Sequence, residues 1–383
     1  MHDRLIGAQR TLMSAPAHQI VEHLSEYLTE QYAVAALELF QVDYRLSELV
    51  PLDGGPAVTH PGAPAWRAFD HLAEVVDGAA LWLPVAVRGD RLGVVRITPA
   101  PDDPRLRAEL AEIADLLGHS LAAAREGTDR YAVAARTKRL TLAAEMQWGL
   151  LPGRGRTGPA FALAGQLEPA YAVRGDTFDW SDDLDRLQVV VINGHGEGVA
   201  AATLTCLAMN ALRNARRAGL DVADQATLAD QAIYSYHRGA QHIDALLLDL
   251  DLRTGVVTAV DAGSPRLLRL RGGEISPVAL EAQDPLGMFD GTMYATQTFT
   301  LEPGDRLFVV SDGIVDATAR GTRYGENLLD RFLARSGALS PLAAVRSVIG
   351  DLRAFIGGET VDDAVAVCLD WTPPGPGDDR RQT

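Results

Sequence analysis

Arg306-Leu-Phe-Val-Val-Ser-Asp-Gly313 decides how the second half of this chain is read. Its apolar run, Leu307 to Val310, suits a buried strand. The run stops at an aspartate followed at once by glycine. The same device returns in mirror order, with Asp362-Asp363 standing just before the apolar strand Ala364 to Leu369. A third carboxylate, Asp176, sits in Arg174-Gly-Asp-Thr-Phe-Asp179. Mg2+ and Mn2+ prefer carboxylate, carbonyl and water oxygens in octahedral geometry, so carboxylates at strand mouths can hold them. Taken singly, each aspartate reads as a turn or cap. Their succession is what carries weight.

Around these sites the pattern from Phe161 onward is of strands separated by turns. Strands are expected at Leu187–Ile192, Ala245–Leu250, Val256–Ala259, Leu267–Leu270, Arg306–Val310 and Ala364–Asp370. Asp251 to Gly255 and Arg271 to Glu274 read as hairpin turns. Ala-rich helices are expected at Val199–Ala218 and Pro341–Phe355. The whole predicts a β-sandwich flanked by helices, with a disordered tail at 372–383.

Further upstream, residues 1–104 read as a small α+β domain. A helix (Ala17–Gln31) precedes strands at Ala33–Phe40, Arg45–Leu52, Ala80–Val87 and Leu92–Thr98. Residues 105–148 read as a helical linker. Within it, Leu106, Leu110, Ile113, Leu117, Leu121 and Ala124 follow coiled-coil spacing, which predicts a homodimer. The sandwich would occupy 149–371.

Composition narrows the function. At 383 residues the chain has room for two or three domains of about 150 residues. Acidic residues outnumber basic ones 51 to 35, and a net charge of −16 disfavours nucleic acid and anionic membrane as partners. The only lysine, Lys138, follows no glycine-rich run, which excludes a Walker-type nucleotide site. Cys206 and Cys368 form neither a disulfide framework nor a CxxC site. With no signal segment or apolar span, a cytoplasmic protein is expected.

Read together, the motifs resemble a known family. Gln147-Trp-Gly-Leu-Leu-Pro152, Pro169 to Asp179, Asn193-Gly-His-Gly196, Ser311-Asp-Gly-Ile314 and Asp362-Asp-Ala364 follow one another as in the stage II sporulation protein E (SpoIIE-type) branch of the metal-dependent phosphatases, relatives of protein phosphatase 2C. Asp261 to Pro265, Pro285-Leu-Gly287 and Leu301 to Arg306 support it. The phrase Leu81 to Ile97 resembles a GAF sensory domain. The resemblance implies a β-sandwich carrying two Mn2+ or Mg2+ ions and a metal-activated water that attacks a phosphoserine or phosphothreonine. Asp176, Asp312 and Asp362 match the family's metal aspartates, with Asp363 as the less favoured neighbour of Asp362. The implied partner is a phosphorylated small regulatory protein of the anti-anti-sigma type.

One ligand departs from the pattern. The bridging aspartate falls on Val191 in one register and on Asn193 in another, and neither is a carboxylate. Two dications about 4 Å apart repel by roughly 16 kcal/mol at an effective dielectric of 20. A bridging carboxylate offsets much of this, an amide far less. Loss of one ion is therefore expected, with Asn193 and the Gly194 carbonyl left as weak ligands. Glu197 is either a substitute or a favourable charge at a helix start. His195 is either a general acid or a structural part of its turn. Arg174 stands for a glycine, Ser264 for a histidine and Val365 for a threonine. The leading reading is a signalling serine/threonine phosphatase regulated by its sensor domain; the alternative is a pseudophosphatase that binds a partner, and a third is a ligand-binding regulator in which only the sensor domain matters.

Overall fold

The computed structural model describes residues 2–137, 139–169, 173–263, 265–326, 328–358 and 360–373. Lys138, Ser264 and nearly all of the expected tail lie outside them. The chain divides into two compact units, Met1–Arg139 and Leu140–Thr383. Both mix helices with antiparallel sheet, the α+β class expected.

In the first unit, α1 (His2–Ser14) and α2 (Ile20–Tyr32) lead into β1 (Ala36–Val42) and β2 (Leu49–Pro51). Then come α3 (Pro64–His71), β3 (Val75–Asp77), β4 (Ala80–Val87), β5 (Asp90–Thr98), α4 (Pro104–Ala124) and α5 (Arg130–Ala134). The strands form one antiparallel sheet in the order β2-β1-β5-β4-β3. The expected coiled-coil seam is corrected here. Leu110, Ile113, Leu117 and Leu121 are buried in this unit's own core, together with Leu24, Leu28, Leu83 and Ile97. Gly118 marks how closely α4 lies on β4, since a Cβ there would come 2.5 Å from the Ala86 carbonyl oxygen. The heptad stripe is spent on the sheet and is not a face for a second copy. Nor does one helix run from Arg105 to Met146: α4 ends at Ala124, and the next two helices are short.

The second unit starts with α6 (Leu142–Trp148) and strands β6 (Gly155–Gly158), β7 (Phe161–Glu168), β8 (Thr177–Asp183) and β9 (Arg186–Asn193). Helices α7 (Gly198–Arg217) and α8 (Val222–His237) follow, then β10 (Asp244–Asp251), β11 (Val256–Ala262), β12 (Arg266–Arg271), β13 (Glu274–Pro277), β14 (Gln297–Thr300) and β15 (Arg306–Val310). A single turn, α9 (Asp312–Val315), leads to the hairpin β16 (Thr318–Ala319) and β17 (Thr322–Arg323). Helices α10 (Leu328–Arg335) and α11 (Pro341–Ile356) precede the last strand, β18 (Ala364–Trp371).

Two sheets result, in the orders β14-β11-β10-β9-β8 and β13-β12-β15-β18-β7-β6. Alternation along the strands explains how they stack. Val189 and Val191 of β9 face the inter-sheet core with Leu246, Leu307, Val309, Val365 and Val367. Val190 and Ile192 face outward onto Leu204, Ala208 and Leu212 of α7 and Ile233 of α8. Helix α11 packs against β7 and β18 of the other sheet. The layers therefore run helix, sheet, sheet, helix. Among the described residues no helix is long and apolar enough to cross a membrane.

Candidate functional site

Five strand ends meet at one end of the sandwich. β8 starts there just after Asp176, β9 ends there at Asn193, and β10 starts there at Asp244. β15 ends just before Ser311-Asp312, and β18 starts just after Asp362-Asp363. The pair Thr177↔Ile192 brings Asp176 opposite Asn193 one step on, and Asn193 pairs with Asp244 across the other edge. Val191 lies two residues inside, 1% exposed in the inter-sheet core beside Phe178. Asn193, and not Val191, thus stands at the carboxylate cluster.

Asp176 is fully buried, and one carboxylate oxygen accepts the Gly194 N–H at 3.0 Å. The other oxygen has no hydrogen-bond partner. Burial first, then the charges of Asp363 and Asp312, push this carboxyl well above the usual range, against the Ser311 hydroxyl and the Gly194 N–H. Asn193 is 1% exposed, and neither end of its amide has a hydrogen-bond partner. Gly194 is required by crowding, because a Cβ there would meet the Arg174 carbonyl oxygen at 2.5 Å.

Asp363 needs correction as a metal candidate. It is fully buried, and its Oδ2 accepts the Gln147 side-chain amide at 2.7 Å. The same oxygen accepts the backbone N–H groups of Arg174 at 2.9 Å, Gly175 at 2.8 Å and Asp176 at 3.3 Å. It is the anchor that shapes the loop entering β8. Its carbonyl oxygen leaves only 1.8 Å for a Cβ at residue 313, so the residue after Asp312 must be glycine.

Asp312 and Asp362 line one cavity of about 290 Å3 with Gly313, Asp316, Thr318 and Val361. Burial, and next the Asp312 charge, push Asp362 up to about 6, while Arg174 opposes the shift. The Arg174 Nε lies 3.5 Å from Asp362 Oδ1, and its Nη2 lies 3.9 Å from Glu197 Oε1. His195 Nε2 lies 3.2 Å from Asp244 Oδ2, with the His242 ring 5.1 Å from its own. The hydrogen bond to Asp244 raises the imidazole above its ordinary value, against the effect of burial.

The side chains test whether two hard cations fit. Among the described residues, no group of three or more His, Cys, Asp or Glu is arranged to hold a metal ion. Asn193 brings no charge to the bridging place, and the Arg174 guanidinium lies 3.5 Å from Asp362. A two-ion centre does not fit. Asp312 and Asp362, facing a common cavity, suit one Mg2+ or Mn2+ that keeps most of its waters. Of the candidates, the structure groups Asp176, Asn193 and Gly194, sets Asp312 with Asp362, gives Asp363 to the loop, and pairs His195 with Asp244. Asp244, Gln147 and Ser311 were missed as site residues. A charged residue opening the apolar run Ile243 to Leu248 was the one available signal for Asp244.

Comparison with known proteins agrees with this architecture. Comparison with curated protein sequences gives no match. Among solved structures, the RsbU and RsbW domains of Rv1364c from Mycobacterium tuberculosis are 24% identical, with a TM-score of 0.50 over 57% of this chain and 62% of that one. The PP2C phosphatase domain of SpoIIE with a fragment of its regulatory domain, from Bacillus subtilis, is 16% identical, with a TM-score of 0.50 over 55% of this chain and 64% of that one. This chain therefore spans less than two thirds of either. The catalytic domain of the phosphatase PstP, 14% identical with a TM-score of 0.42 over 56% of this chain and 99% of that one, is a complex with two manganese ions. Residues 183–372 match the family model of stage II sporulation protein E, SpoIIE. Residues 183–372 of the second unit are thus a SpoIIE-type domain, and the unit has a PP2C-like fold.

Proposed function

We propose that this chain is a signalling pseudophosphatase: its SpoIIE-type domain binds a phosphorylated small regulatory protein and lacks two-metal turnover. The observation that carries this is Asn193, a neutral amide buried opposite Asp176 where the resemblance calls for a bridging carboxylate. One ion held by Asp312 and Asp362 would supply charge for a phosphoryl group. The chain's own residues do the rest. Asp363 fixes the loop that carries Asp176, and Asp244 orients His195 at the rim. A hydroxide shared by two metals has no place to form. The first unit acts, in this reading, as a GAF-like sensor that sets partner binding. Its antiparallel sheet is compatible with that role, and the anti-anti-sigma class of partner comes from the resemblance. The protein is cytoplasmic in this reading.

The competing reading, an active phosphatase, is favoured by the convergence of Asp176, Asp312 and Asp362 on one sandwich end. A phosphoserine regulatory protein in Mn2+ decides between them. We expect phosphate-dependent binding and no release of phosphate. Turnover by the unaltered chain would sink the pseudophosphatase reading.

A further inference from the structure

We infer that Arg174 is a built-in cation that balances part of the charge of Asp312 and Asp362 and so weakens the binding of a metal ion there. The inference deepens the reading of this cluster as a SpoIIE-type site and rests on it. Three observations converge on Arg174. Its guanidinium reaches both Asp362, at 3.5 Å, and Glu197, at 3.9 Å, two acidic groups from separate parts of the chain. Its backbone is pinned on both sides, the N–H on Asp363 Oδ2 at 2.9 Å and the carbonyl against Gly194. The side chain therefore projects from a fixed point. It lies against Asp362, which lines the cavity that a hydrated cation would enter.

The physical consequence is one of charge. A guanidinium stays protonated at every working pH. Beside Asp362 it halves the negative charge that Asp312 and Asp362 together offer to a cation. A glycine at this position, as the resemblance has it, would leave both carboxylates uncompensated. A unit charge within a few ångströms of a dication weakens its binding by at least about tenfold at a surface-like dielectric.

The test is calorimetric titration of Mn2+ into the full chain and into Arg174→Gln, with Arg174→Lys as the variant that keeps the charge. Arg174→Gly is read in parallel, so that a folding failure in one neutral variant leaves the other to decide. We expect the neutral variants to bind Mn2+ at least tenfold more tightly, and the lysine variant to match the parent. Mn2+ should also raise the melting temperature of the neutral variants more than that of the parent, since tighter binding stabilises the folded state further. Equal affinity in the parent and a folded neutral variant overturns the inference. Turnover by the parent would instead overturn the proposed function, and leaves this comparison of affinities intact.

Discussion

At the scale of single residues, Asn193 differs from the bridging carboxylate that the resemblance implies by one charge. Asn193→Asp changes almost no volume, yet it puts a second carboxyl opposite the fully buried Asp176. Without metal, the variant should lose roughly 1–3 kcal/mol of stability in urea unfolding, the added cost of burying a carboxyl beside Asp176 in place of an amide that already lacks partners. With Mn2+ it should recover that loss and release phosphate from a phosphoserine substrate. No recovery in Mn2+ would mean that Asn193 does not occupy the bridging place. Asp261 makes a separate prediction. Burial, with the Asp244 charge adding to it, pushes this carboxyl up to about 6, while the Gly263 N–H opposes. The folded state then holds more protons than the unfolded state between about pH 4 and 6. Its contribution to stability therefore falls as pH rises through that window. Asp261→Asn should flatten the parent's decline by about 1 kcal/mol after allowance for its partial exposure. Urea midpoints at pH 4.5 and 7 read the difference. Such details were hidden from the sequence. Arg174 meets Asp362, and His195 meets Asp244, only because strand register brings distant segments together.

Among elements, the apolar runs that became β9, β10, β15 and β18 were legible because charged or turn residues bracket each of them. Helices α1, α3 and α8 were not assigned, although Asp221 caps α8 by accepting the Ala223 and Asp224 N–H groups. The periodicity of α4 was legible as well, but its partner was not: a leucine stripe fits a sheet as well as a second helix. Leu117→Glu should accordingly unfold the first unit, at a cost above about 3 kcal/mol, instead of separating a dimer. Circular dichroism together with light scattering would distinguish the outcomes, and a folded monomer made from a parental dimer would restore the coiled coil. A second tie joins helix to sheet. Asp179 of β8, 2% exposed, receives Arg213 of α7 at 2.7 Å and Arg216 at 2.8 Å. Asp179→Ala leaves both cations facing each other and should cost roughly 3–5 kcal/mol in chemical denaturation. A loss under 1 kcal/mol would show that solvent takes over the pairing.

For the molecule as a whole, two units with separate cores should unfold in two calorimetric transitions. Leu117→Glu should erase one of them and leave the other at its parental temperature. A single shared transition would show that the units stabilise one another. The position of β18 matters in another way. It is the last strand among the described residues, yet it lies inside its sheet, hydrogen-bonded to β15 on one side and β7 on the other. Asp363 at its start gathers the loop before β8 from almost two hundred positions upstream. During synthesis the earlier strands of this sheet leave the ribosome as two unjoined halves, and the loop bearing Asp176 has nothing to fold around. The site is therefore assembled in one event once β18 has been made, and no nascent chain that stops short of Asp363 can display it to a partner.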